Sequence, residues 1–221
     1  MTGSAALVVH AWPLQTALAL ADLRCSQACT VVRMSTPDTM IRDAARQRSR
    51  LALRELLGAF GGRPAATIDL VAVPGQPMRV DLPESCVGLS VSHAPGMSVA
   101  AVQMDGSIGV DVMTVAHSAG VASDWAGVAL DYLGPQAYAR LDALLPVQRA
   151  AAFSQEWTYF EAGLKCLGQA LVEWTPALGQ RLALCHIRAL VLPAGYCGAV
   201  ATRHPFAHQA PPNSSPNSLA R

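Results

Sequence analysis

A single aspartate inside an apolar run constrains this chain more than any other feature. Residues 107 to 113 read SIGVDVM, a pattern of small and β-branched residues that predicts a buried or half-buried strand, with Asp111 in its middle. An unpaired buried carboxylate is costly enough that it neutralises, pairs with a cation or coordinates a metal. No Lys or Arg occurs between Met97 and Leu130, so no cationic partner lies nearby in sequence. On this segment alone two uses stay open: acceptor of backbone hydrogen bonds at the strand end, or metal ligand.

A second stretch, distant in sequence, sets a carboxylate and an ammonium one helical turn apart. WTYFEAGLKCLG, Trp157 to Gly168, predicts a helix in which Trp157, Glu161, Lys165 and Gly168 fall along one side while Phe160, Leu164, Leu167 and Leu171 form an adjoining apolar stripe. Glu161 and Lys165 are an i,i+4 pair. Taken alone, that pair is an ordinary surface ion pair worth about 0.2–0.5 kcal/mol.

Together the two stretches resemble the 4'-phosphopantetheinyl transferases, specifically the larger monomeric type that activates nonribosomal peptide and polyketide synthases. Family members carry G-[IV]-D-[IV]-E followed by W-x-x-x-E-[AS]-x-x-K; here these read GVDVM and WTYFEAGLK. Upstream, GQP at 75 to 77 and LSVSHAPG at 89 to 96 match the family's G-K-P and L-S-H-S segments. PAGYCGAVA at 193 to 201 matches its closing P-G-Y strand. These motifs, in order, cover most of residues 42 to 202. Two departures stand out: Met113 where many relatives have a second acid, and Gln76 in place of the lysine of G-K-P.

The resemblance implies a fold and a reaction. The fold is α+β, two pseudo-twofold-related subdomains over residues 1 to 106 and 107 to 203 with the active site in the cleft between them. The reaction transfers 4'-phosphopantetheine from coenzyme A to a serine of an acyl or peptidyl carrier protein and releases adenosine 3',5'-bisphosphate. Asp111 and Glu161 are the implied magnesium ligands, and water can complete the shell that Met113 leaves short. Lys165 is implied to bind the phosphate and stabilise the leaving group, with Glu161 or a water as general base. Ser92, His93, Arg50 and Arg54 are implied to hold the phosphates and adenosine end of coenzyme A, the arginines through SRLALR, which matches A-R-x-x-L-R. The rival is a noncatalytic protein of this fold that binds coenzyme A or a carrier protein.

Composition narrows the partners. At 221 residues the chain can bury a substantial core. Only 14% of residues are charged and the net charge is +1, so no nucleic acid or acidic membrane is expected as a partner. No apolar run reaches the roughly 18 residues of a membrane span. Pro13, Gln15 and Asp22 interrupt the first apolar stretch and no basic run precedes it, so a cytoplasmic protein, a monomer by resemblance, is expected. The six cysteines show no CxxC pair and no zinc spacing, and free thiols are expected.

In chain order, the pattern predicts a strand over 5 to 12, a short helix over 14 to 24, and a strand over 30 to 34. STPD at 35 to 38 reads as the start of a helix running from Thr39 to Leu57, which carries Arg42, Arg46, Arg48, Arg50 and Arg54 and ends at glycines. A solvated helix surface has the same composition. Strands follow over 68 to 73, 89 to 92 and 97 to 104. Asp105-Gly106-Ser107 reads as a hairpin turn into the Asp111 strand, which sets His93 and Asp111 at opposite ends of a ribbon unless a third segment intervenes. Short helices over 136 to 144 and 147 to 153 lead into the Trp157 helix. Antiparallel strands over 182 to 192 and 196 to 202 close the fold, and 204 to 221 reads as a disordered tail.

Overall fold

The computed structural model describes residues 5–25, 29–37, 39–73, 76–80, 87–115 and 124–204. The expected tail and Cys86 therefore lie outside the described residues, apart from His204. The protein is a mixed α+β fold built on two four-stranded sheets. The first sheet has the order β2 (His10–Ala11), β3 (Thr30–Thr36), β7 (Gly96–Gln103), β6 (Gly88–Ala94); the second has β1 (Leu7–Val8), β9 (His186–Val191), β10 (Tyr196–Arg203), β8 (Ser107–Thr114). A ribbon of β4 (Leu70–Val71) and β5 (Arg79–Val80) lies apart. Pairing is antiparallel except β1 with β9 and β2 with β3.

The layers follow from which residues alternate along the strands. Val32 of β3 and Ala100 and Val102 of β7 pack on α1 (Thr16–Arg24) and on Leu53, Leu56 and Leu57 of α2 (Arg42–Gly61). Their neighbours Val31, Val99 and Ala101 face the other way, onto Ile108, Val110 and Val112 of β8 and Val200 of β10. Both faces of the first sheet are thus buried, which is why β7 (Gly96–Gln103) reads as a near-continuous apolar run. On the outer side of the second sheet, Ala199 and Ala201 meet Ala162 and Cys166 of the long helix α5 (Pro146–Cys166). The order is helix, sheet, sheet, helix.

Small residues bring α5 unusually close. A Cβ on Gly109 would sit 2.0 Å from the Ala162 carbonyl oxygen and 2.4 Å from the Cys166 nitrogen. Only glycine lets the helix backbone lie against β8 at this point. The next residue on that face of β8 is Asp111.

Several local expectations are corrected. The first strand is two short ones, because the chain crosses from one sheet to the other at Val9. Thr36 ends β3 and its hydroxyl bonds Ser98 Oγ at 3.0 Å; α2 begins only at Arg42 and no side chain caps it. Of the strand expected over 68 to 73, only Leu70–Val71 forms, paired with β5. The turn at 105 to 107 is no hairpin, for β7 and β8 belong to different sheets. A β8 paired to β7 would forfeit the burial of its valines between the sheets. The segments 147 to 153 and 157 to 166 are one helix, α5 (Pro146–Cys166). Before it, α3 (Trp125–Val128) runs through a π-helical turn, Ala129–Leu133, to α4 (Pro135–Asp142). A helix not expected from the sequence, α6 (Pro176–Leu182), is capped by the Thr175 hydroxyl, which accepts from Leu178 N at 3.1 Å.

Cys25, Cys29, Cys166, Cys185 and Cys197 are free thiols. Among the described residues no helix is long and apolar enough to cross a membrane.

Candidate active site

β8 is an edge strand, and its outer side finds an unusual partner. Ser90 Oγ accepts from Val110 N at 3.0 Å and Ser92 Oγ accepts from Val112 N at 3.3 Å. The hydroxyls of β6 therefore serve backbone donors that a further strand would otherwise satisfy. This join between the sheets carries β6, the strand of His93, directly alongside β8, with no third segment between them.

Asp111 is only 5% exposed, and two side chains bond it directly. Ser92 donates to its Oδ1 at 2.7 Å. Lys165 Nζ lies 2.6 Å from the same oxygen and also donates to the Val110 carbonyl at 3.1 Å. Glu161 Oε2 is 3.7 Å from Lys165 Nζ, while Trp157 Nε1 donates to Glu161 Oε1 at 3.0 Å. Trp157 is itself fixed by Tyr132, Phe153 and Phe160, with ring centroids 5.7 to 6.3 Å away. Burial and the neighbouring Asp111 charge push the Glu161 carboxyl up from its ordinary value, against the opposing pull of Lys165 and Trp157.

The strand and helix spacings explain the convergence. Trp157, Glu161 and Lys165 recur every four residues on the side of α5 that meets β8, and Gly109 two residues before Asp111 removes the side chain that would hold the helix away. Met113, half-buried, shares the Asp111 face by strand alternation. Among the described residues no three His, Cys, Asp or Glu side chains form a cluster able to hold a metal ion. What converges is two carboxylates and one backbone carbonyl, all contacting the Lys165 ammonium.

Lys165 also lines a cleft of about 470 Å³. Its opposite wall carries Arg42, Arg46 and Arg50, one residue per turn along α2, with His93 between them and Lys165 in the lining. No carboxylate among the described residues lines it, so the cleft is suited to an anion. His93 Nδ1 shares a hydrogen bond with Ser98 Oγ at 2.7 Å. Desolvation first, then the charges of Arg46, Lys165 and Arg42, hold its imidazole below the ordinary histidine value.

The sequence-chosen residues are thus divided between two places. Asp111, Glu161, Lys165 and Ser92 meet in the buried cluster, whereas Arg50, His93 and Lys165 line the cleft. Ser92 and His93 point to opposite faces of β6, and the Ser92 hydroxyl is occupied by Asp111 and Val112. Arg54 turns away to donate to the Ile68 carbonyl at 3.1 Å. Arg42 and Arg46 line the cleft beside Arg50, and the four-residue spacing they share with it is one that Arg54 has too. Gln76 and Gln169 also line the cleft, and the Gln169 Oε1 is buried with no hydrogen-bond partner among the described residues. Set against known proteins, the chain matches no family model and no curated protein.

Proposed function

We propose that this protein is a 4'-phosphopantetheinyl transferase, moving phosphopantetheine from coenzyme A to a serine of an acyl or peptidyl carrier protein. The observation that carries the reading is Lys165, which bridges a two-carboxylate cluster and a cleft walled by three arginines. A pyrophosphate ester needs both halves of that arrangement: cations for its phosphates, and an acidic pair for a hard metal ion.

The donor set fits magnesium. Asp111, Glu161 and the Val110 carbonyl are hard oxygen donors already grouped around one positive centre. Magnesium, when bound there, supplies neutralisation of the pyrophosphate charge. Arg42, Arg46, Arg50 and His93 hold the phosphates of coenzyme A, and this positioning contributes to rate as well as affinity. The carrier serine oxygen bonds to the phosphorus that bears the pantetheine arm, and the bond from that phosphorus to the oxygen of the leaving adenosine 3',5'-bisphosphate breaks. Glu161, whose basicity burial and the Asp111 charge raise, takes the serine proton. Lys165 stabilises the charge that develops on the leaving phosphate.

In this reading residues 1 to 106 and 107 to 203 are two pseudo-twofold-related α+β subdomains, each a sheet with one long helix on its outer face. β1 crosses over to complete the second sheet. The active site is the cleft between α2 and the end of α5, and the protein acts in the cytoplasm as a monomer.

The test is intact mass of an apo carrier protein after incubation with the enzyme, coenzyme A and magnesium. The carrier gains the mass of phosphopantetheine, and loses that gain when its acceptor serine is replaced by alanine. A folded protein that modifies no peptidyl, polyketide or fatty-acid carrier overturns this reading in favour of a noncatalytic binding protein.

A further inference from the structure

The Lys165 ammonium has three N–H donors and three oxygens within reach: Asp111 Oδ1 at 2.6 Å, the Val110 carbonyl at 3.1 Å and Glu161 Oε2 at 3.7 Å. These are the same oxygens that fit a divalent cation. An ammonium and a metal ion cannot both sit at the centre of one small set of oxygens, because they repel each other and compete for the same lone pairs. Lys165 is also the one member of this cluster that lines the anion-binding cleft. Its four-carbon stem gives the ammonium room to move between the two places.

We propose that Lys165 is a resident cation which occupies the metal position until a phosphate in the cleft draws it away. The inference rests on the transferase reading for the identity of metal and anion. It makes the protein's own lysine the element that couples them. In the anion-free protein the ammonium satisfies both carboxylates, so buried Asp111 and half-buried Glu161 are never left without a countercharge. A phosphate beside Arg42, Arg46 and Arg50 offers Lys165 a new partner, and the vacated oxygens become available to the metal. Linkage requires the reverse as well: metal that occupies the oxygens sends Lys165 into the cleft and tightens the anion.

The probes are manganese, followed by the electron paramagnetic resonance signal of the free ion, and adenosine 3',5'-bisphosphate, with a protein-free titration to subtract direct association of the two. Wild-type protein binds manganese weakly alone and at least about fivefold more tightly with the nucleotide, the scale of a working coupling between sites. Lys165→Met binds manganese tightly from the start, and the nucleotide leaves that affinity where it is. Removal of a positive charge by itself would tighten the metal, so the loss of coupling is the deciding observation. Coupling of wild-type size in Lys165→Met overturns the proposal. So does a wild-type affinity that the nucleotide does not change, a measurement that stands even if the variant fails to fold. The carrier-mass assay is independent: transfer without coupling overturns this proposal alone, and coupling without transfer overturns the transferase reading alone.

Discussion

The two long helices occupy equivalent positions, each on the outer face of a four-stranded sheet, yet they deliver charge in opposite ways. α2 packs through large leucines and presents Arg42, Arg46 and Arg50 as a stripe along the open cleft. α5 packs through alanine and cysteine against Gly109, and at its closest approach carries Glu161 and Lys165 into contact with buried Asp111. An open stripe acts through reach and field, so its members share the load and each loss is partial. A buried set of mutually dependent charges has no such redundancy, since removing one partner strands the others.

The sharpest break of this contrast is at Asp111. Asp111→Asn keeps the shape and an acceptor for Ser92 but removes the charge that Lys165 and a metal would both need. Carrier-modification turnover is expected to fall by at least about a hundredfold, the scale of a lost electrostatic stabiliser, with Glu161→Gln moving the same way. Wild-type turnover in a folded Asp111→Asn protein removes that carboxylate from the chemistry.

Packing gives the next largest effect. Gly109→Ala places a methyl 2.0 Å from the Ala162 carbonyl, so α5 must shift or the strand must distort; the expected loss is about 1–3 kcal/mol in denaturant unfolding. Gly61→Ala near the end of α2 meets nothing within 4 Å, and is expected to gain roughly 0.5–1 kcal/mol from reduced chain entropy. Equal effects at the two glycines would mean that α5 does not lie closer to its sheet than α2 does.

The same contrast explains what was legible in the sequence. The cluster could be read because each part declares itself locally: Asp111 is a charge out of place in an apolar strand, and Glu161 and Lys165 share a helix side by spacing alone. The stripe was read one turn out of place. Arg50 was found, but Arg54 fits a local pattern equally well and only the position of the Ile68 carbonyl diverts it. Arg42, Arg46, Arg50 and Arg54 share one four-residue spacing, so spacing alone does not separate the three that line the cleft from Arg54. The crossing at Gly106 was hidden, because Asp-Gly reads the same whether a chain reverses or passes to a second sheet. The start signal Thr175-Pro176 for α6 was present and overlooked.

Loss of stripe residues should appear in affinity. Replacing Arg42 and Arg46 together by Gln is expected to raise KM for coenzyme A by roughly tenfold, the scale of one charge-assisted hydrogen bond, with kcat nearly unchanged. Arg54→Gln leaves KM alone and lowers stability by about 1 kcal/mol, since its bond is to the protein itself. A larger KM effect at Arg54 than at Arg42 and Arg46 would invert the assignment.

The smallest effect is read at His93, which faces the stripe from β6. Desolvation, followed by Arg46, Lys165 and Arg42, lowers its native pKa below the unfolded value of 6.5. Between those two values the unfolded chain binds more protons than the native protein, so the His93 contribution to stability rises with pH. It is fully present above 6.5 and is lost as the pH falls through the lowered native value. Adenosine 3',5'-bisphosphate in the cleft supplies negative charge that counters the arginines and Lys165, so the imidazole titration, followed by proton–nitrogen NMR, should move upward when it binds. Arg46→Gln should move it upward by less, because desolvation is the larger cause and Arg42 and Lys165 remain. A titration indifferent to both changes would place the imidazole outside the field of the stripe, and would leave the arginines without His93 as a partner in holding the anion.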